Sequence, residues 1–196
     1  MILQRLKHEI EPYHRDVESR LDLVSPRLTR GRYRTVLAQL SGFYLPWQRQ
    51  LTACSCWGAI PTLAARLRGS ALVEDLRALG VESQARLPQC AFIPQPTSLP
   101  ALLGTMYVFE GATLGGRIVS QHVERTLALQ GAGCSFFTAY GDQVIPMWRA
   151  FQELLVSHSG HCGDDKMIAA ARDTFQALAA WLREPFTQLE GWGHAG

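Results

Sequence analysis

The sequence predicts an all-α protein, and three observations carry that prediction. Apolar residues recur at spacings of three and four through several long stretches, the period of an amphipathic helix. No stretch alternates polar and apolar residues as a half-buried strand would, and no internal repeat stands out. Prolines and glycines gather mainly between the periodic stretches, where they separate helices. At 196 residues, 47% hydrophobic and 18% charged, the chain is long and apolar enough to fold around a sizeable core. It reads as a single-domain helical bundle spanning residues 1–196.

The elements follow in order. Leu3, Leu6, Ile10, Tyr13, Val17 and Leu21 form one apolar stripe, so the first helix lies here. Pro12 interrupts it, and the regular helix is expected to start near Glu11 or to kink there. Val24-Ser25-Pro26 ends it. A second helix runs from Thr29, a fair cap, to about Trp57, with Pro46 expected to kink or divide it. Pro61–Arg68 reads as a short helix and Ser70–Leu79 as another, stopped by Gly80. Val81–Ser98 holds Pro88, Pro94 and Pro96 and is a loop. Ser98-Leu99-Pro100 opens a long helix, with serine at the cap and proline in the first turn, reaching about Leu129. Gly131 and Gly133 break the chain. A helix follows over about Phe136–Val156, with Pro146 as a kink. Asp164 or Asp165 caps the last helix, which reaches about Leu189 with Ile168, Ala171, Phe175, Leu178, Trp181, Leu182 and Phe186 inward.

Several function classes are disfavoured by composition. A net charge of +2 is too small to argue for nucleic acid or a membrane surface. No apolar run approaches the roughly 20 residues of a membrane span. The N-terminal residues MILQRLKHEIEPYHRD are charged and amphipathic, without a signal-peptide core. The five cysteines, Cys54, Cys56, Cys90, Cys134 and Cys162, include no C-x-x-C pair, which argues against a disulfide framework or a structural zinc site. The expectation is a cytoplasmic protein with reduced, mostly buried thiols, and Cys54-x-Cys56 reads as core packing.

Two stretches carry chemistry. Gly104–Val123, GTMYVFEGATLGGRIVSQHV, is helical in pattern yet contains Gly111, Gly115 and Gly116. A mid-helix glycine costs about 0.5–1 kcal/mol relative to alanine, so three within six residues need a reason. Gly111 and Gly115 are four apart and expose backbone on one face, where either another helix or a flat ligand comes close. In the first helix, Lys7 and His14 share nearly one helical angle, about 10 Å apart along the axis, and Glu18 lies one turn beyond His14. A carboxylate behind an imidazole fixes its tautomer and raises its basicity for metal binding. One histidine does not hold a bare metal ion. Heme needs only one, because the porphyrin supplies four nitrogens. A lysine two turns away then suits a propionate, and the glycine face suits the flat macrocycle on its other side.

Together, Lys7…His14-x-x-x-Glu18 and Tyr107-Val108-Phe109-Glu110-Gly111-Ala112-Thr113-Leu114-Gly115-Gly116 resemble the proximal and distal segments of the heme oxygenase family, in particular the bacterial branch that includes enzymes accompanying bacterial phytochromes. The resemblance implies an all-α heme oxygenase-type bundle and the cleavage of heme, with O2 and electrons, to biliverdin, CO and ferrous iron. Heme is then both cofactor and substrate, and an external electron donor such as ferredoxin is required. It assigns His14 as proximal iron ligand, Glu18 as its orienting carboxylate, and Lys7 and Tyr107 as propionate contacts. Gly111, Gly115 and Gly116 become the distal catalytic surface, and Arg172 and Phe175 of the last helix close the heme edge. Partners implied are an electron-donor protein and a bilin-accepting photoreceptor, with neither nucleic acid nor membrane. Two positions depart from the family pattern. Ile10 replaces a threonine common before the histidine, and Ala112 replaces the aspartate that holds distal water in mammalian-type members. Glu110, Thr113, Arg117 and glycine carbonyls are the candidates to take over that role.

His8 and His122 are alternative iron ligands, and His158-x-x-His161-Cys162 is a candidate metal turn that lacks further ligands. A heme-binding or heme-delivery protein without turnover shares the same pocket residues. A thiaminase-like enzyme of the same superfold would use a cysteine nucleophile, for which Cys54, Cys56 or Cys134 would serve. The plainest alternative takes the glycines as a close helix–helix contact.

Overall fold

A computed structural model describes residues 1–81 and 86–183. Among these residues every regular element is helical and no strand occurs. Helix α1 (Ile2–Leu21) buries Ile2, Leu6, Ile10 and Val17, the predicted stripe. It runs unbroken through Pro12, so no new start at Glu11 is needed. Pro12 lies on the exposed side, where water can serve the carbonyl that loses its N–H partner. Asp22 closes the helix in a left-handed conformation, φ 47°.

Helix α2 (Arg30–Ala53) is capped by Thr29, whose hydroxyl accepts the Arg32 N–H at 3.2 Å. It also continues through its proline, Pro46, and stops at Ala53, short of Trp57. Residues Trp57–Ala59 form a 3-10 turn, and a second, Pro61–Arg66, stands in place of the short helix expected over Pro61–Arg68. Helix α3 (Gly69–Ala78) follows. Helix α4 (Leu99–Leu127) starts as predicted, with the Ser98 hydroxyl accepting the Ala101 N–H at 3.4 Å. It ends at Ala128, which turns left-handed at φ 49°.

The expected helix over 136–156 is divided. Gly141, at φ 49°, takes a conformation that a right-handed helix cannot contain. This leaves a short α5 (Ser135–Thr138), a 3-10 turn and α6 (Val144–Ser157). Pro146 sits in the first turn of α6 and so has no helix above it to kink. Helix α7 (His161–Trp181) begins at Gly160. Asp164 is not its cap but reaches back from inside the first turn, accepting the Gly160 N–H at 3.0 Å. The stretch 184–189 given to this helix, with Phe186, lies outside the described residues.

The cysteines differ from expectation. Cys54 and Cys56 are joined as a disulfide. Of the three free thiols only Cys134 is buried; Cys90 is half-buried and Cys162 exposed. Two residues between the cysteines would have offered a zinc spacing, but a C-x-C pair at a helix end is close enough to bridge without any metal.

Packing places the site. An aromatic knot joins α2 to α4 and α5: the Tyr44 ring stands edge-on to Phe109 at 4.8 Å and to Phe136 at 5.2 Å, and Trp47 meets Phe109 at 4.5 Å. Helix α7 packs along both α1 and α4, far more extensively than those two pack on each other. Gly104 of α4 allows the closest approach, since a Cβ there would collide with the Met167 carbonyl of α7. Beyond that crossing α1 and α4 stand apart, and a groove opens between them with Phe175 of α7 in its wall.

Candidate functional site: a groove between the first and fourth helices

The groove has two adjoining lobes of about 470 Å³ each, which share His14, Val108, Gly111, Leu114 and Phe175. Each lobe alone is the size of a small-molecule site. The outer lobe is the more polar. Lys7, Glu11, Tyr107 and Gln152 line it together with Ile10 and Trp148. The inner lobe is walled by Val17, Leu21, Leu40, Val119, Phe136 and Phe137, with Arg68 as its cation.

His14 stands where the lobes meet. Its Nδ1 faces the Glu18 carboxylate at 3.5 Å, one turn along α1, so the ring is held electrostatically from behind. Its Nε2 has no partner among the described residues. Phe175 meets the imidazole edge-on at 5.8 Å and limits its rotation. An imidazole with one nitrogen backed by carboxylate and the other free toward a cavity is the arrangement of a metal-binding histidine.

Across from it lies α4. Gly111 and Gly115 line the groove. A Cβ built on Gly115 would meet nothing within 4 Å, and one on Gly111 only the Trp148 ring at 3.9 Å. These glycines therefore do not serve a helix–helix contact; they leave backbone bare beside open space. Gly116 is different. A Cβ there would strike the Phe137 carbonyl, and Gly116 does not line the groove. One residue beyond Gly115 turns about 100° around the helix, which points Gly116 at α5. Its expected place on the distal surface is thus corrected to a packing role.

The polar groups proposed to replace the missing aspartate are also resolved. Glu110 is buried and paired with Arg66 at 2.5 Å, and Tyr140 donates its hydroxyl to the other carboxylate oxygen at 2.7 Å. Burial and the Glu110 charge push the Tyr140 phenol upward, so it stays protonated. Thr113 is buried and donates to the Glu110 carbonyl at 2.6 Å. Arg117 is exposed and lines neither lobe. Ala112 does line the inner lobe, so an acid at this position would have faced it; here there is only a methyl group. Glycines apart, Arg68 is the polar residue that the inner lobe offers on that side. It is 5% exposed and donates to the carbonyls of Phe109 at 2.6 Å and Phe136 at 3.2 Å. Its Nε–H is buried without a partner.

Most of the predicted residues converge. Lys7, His14, Tyr107, Gly111 and Phe175 line the outer lobe, and His14, Glu18, Gly111, Gly115 and Phe175 the inner one. Burial raises the Tyr107 phenol above its ordinary value, which keeps it a hydrogen-bond donor. Other candidates fall away. Arg172 pairs with Asp173 at 3.2 Å outside the groove. His8 is exposed, and His122 bonds the Ser25 carbonyl at 2.8 Å; neither lines a lobe. No cluster of metal-ligating side chains occurs among the described residues. Arg68, Phe136, Phe137 and Trp148 were missed. All reach the groove through long-range packing, for which local sequence carries no signal.

No helix among the described residues is long and apolar enough to cross a membrane. A family model described as heme oxygenase matches residues 1–184. A heme oxygenase of Xanthomonas campestris pv. campestris (strain 8004) is 34% identical over 90 residues, covering 46% of this chain and 51% of that protein. The chain thus spans about half the length of that curated relative.

Proposed function

The chain belongs to the heme oxygenase family, and from that premise we propose that it is a heme-degrading oxygenase that releases biliverdin, CO and ferrous iron. One observation carries the reading. His14, its Nδ1 turned to Glu18, lines both lobes of a groove whose facing helix is bare backbone at Gly111 and Gly115. The residues fit heme on this ground: a single ligand histidine, a facing helix left without Cβ atoms at Gly111 and Gly115, and apolar side walls.

When bound, heme supplies the iron centre for O2 and electrons and is itself the ring that is opened. The chain supplies the rest. His14 would hold the iron through Nε2, with Glu18 orienting the imidazole through Nδ1. Lys7, at the polar outer lobe, suits a propionate, and the protonated Tyr107 hydroxyl is a second donor there. Gly111 and Gly115 keep the far wall close and free of acid or imidazole side chains. Backbone groups of the glycine run, with ordered water beside them, would carry the proton path, and Arg68 fixes the inner wall through the Phe109 and Phe136 carbonyls. An electron-donor protein of the ferredoxin type and a cytoplasmic setting complete the proposal, with a bilin-accepting photoreceptor as the product's recipient, in keeping with the motif's likeness to phytochrome-associated members.

A second reading rests on Ala112. Because its methyl lines the inner lobe, a heme carrier without turnover shares every other feature. The thiaminase-like alternative loses its nucleophile: Cys54 and Cys56 are bridged, Cys134 is buried against the Tyr33 hydroxyl at 3.5 Å, and no cysteine lines either lobe. The test adds hemin anaerobically, records the Soret band, then admits O2 with ferredoxin or ascorbate. Loss of the Soret band with growth of bilin absorbance is expected. A persistent Soret band without bilin would leave only the carrier, and no Soret change at all would sink both.

A further inference from the structure

Resting on the heme reading, we infer that Phe137 is a specificity-determining residue: its ring is the fixed stop at the inner end of the groove that sets the in-plane orientation of heme, and so the ring edge that is opened. Phe137 lines the inner lobe on α5, a helix of only four residues. So short a helix has little stability of its own, yet this one is tied down on every side. Asp75 of α3, 1% exposed, accepts the Ser135 N–H at 2.7 Å and the Phe136 N–H at 2.8 Å. Arg68 holds the Phe136 carbonyl at 3.2 Å and lies over the Phe136 ring at 4.8 Å. The Phe137 carbonyl rests against the bare Cα of Gly116. Phe136 is buried in the aromatic knot with Tyr44, which leaves the half-buried Phe137 ring, edge-on to Phe136 at 5.5 Å, to face the lobe.

The two ends of the groove differ in this respect. The outer end carries the Tyr107 and Trp148 rings too, but its charged and amide groups are Lys7 and Gln152, long exposed or half-exposed side chains able to follow a ligand. The inner end is a rigid aromatic surface on a clamped backbone. A flat ligand pinned at its centre by His14 keeps rotation in its own plane, which the flexible Lys7 contact at the outer end limits only loosely. A stiff wall at one end restricts that rotation, because close-packed side chains transmit shape where mobile ones do not. Asp75 acts here as a positioning residue through the backbone of α5.

The experiment turns over hemin with ascorbate and O2 and separates the extracted biliverdin isomers by chromatography. It compares the wild-type protein with Phe137→Ala, Phe137→Leu and Asp75→Asn, each first checked for helical content and for the Soret band. One dominant isomer is expected from the wild type. The ratio of that isomer to the others should fall at least about tenfold in Phe137→Ala, less in Phe137→Leu, and in the same direction in Asp75→Asn. An unchanged ratio in a heme-loaded Phe137→Ala protein overturns the inference, as does an isomer mixture from the wild type. A folded Phe137→Ala protein that no longer takes up heme also overturns it, since Phe137 would then govern binding and not orientation. A wild-type protein with no Soret band or no bilin fails earlier and refutes the heme reading instead.

Discussion

Gly104 and Gly115 lie on nearly the same line of α4, three turns apart and offset by about 20°, yet they meet opposite surroundings. Gly104 is pressed against the backbone of α7, and Gly115 faces empty space. The difference lies in what crosses the helix, since the residue is the same. Where α7 crosses, the missing Cβ allows two backbones to touch; farther along the same line α4 has no helix against it and the missing Cβ widens a groove. One face of one helix thus serves both the fold and the candidate site. Glu110 extends the contrast, because it sits beside Gly111 but points into the packed interior and never reaches the groove.

The largest effect should come from the packed side. Glu110→Ala leaves the Arg66 guanidinium, 3% exposed with its partner, as an uncompensated buried charge, and we expect a loss of about 3–5 kcal/mol in urea unfolding. A change under about 1 kcal/mol would mean that the pair is not truly buried. Gly104→Ala comes next. Alanine gains up to about 1 kcal/mol of helix propensity, but its Cβ has only a backbone carbonyl to push against, so a net loss of about 1–3 kcal/mol is expected. Gly115→Ala should reverse that sign. Stability should rise by about 0.5–1 kcal/mol while hemin affinity falls, because the methyl enters the groove. If Gly104→Ala stabilised the protein and Gly115→Ala destabilised it, the assignment of packed and open segments would be inverted.

The helical class was legible because apolar residues at spacings of three and four leave little alternative. The placement of Lys7, His14 and Glu18 along one helix was legible too, because helix geometry fixes it, and so was the shared face of Gly111 and Gly115; these residues line one groove. Gly116 was not legible, because whether a glycine meets a ligand or a neighbour depends on what packs there, and α5 is distant in sequence. Pro12 and Pro46 do not divide their helices, because a long helix held by tertiary packing tolerates one lost hydrogen bond. Gly141, unremarked in the sequence, divided a predicted helix because its backbone turns left-handed. Arg68 and Phe137 reach the groove from a loop and a one-turn helix, elements without a period to read.

The most direct measurement concerns His14, the residue on which the heme site depends. Hemin should be titrated anaerobically into the wild-type protein and into His14→Ala, with the ferric spectrum recorded before and after adding imidazole. We expect the wild-type Soret band to be absent from the variant and restored by imidazole, which occupies the vacated place beside Phe175. A variant spectrum identical to that of the wild type would show that the iron ligand lies elsewhere, and the groove between α1 and α4 would lose its claim to be the heme site.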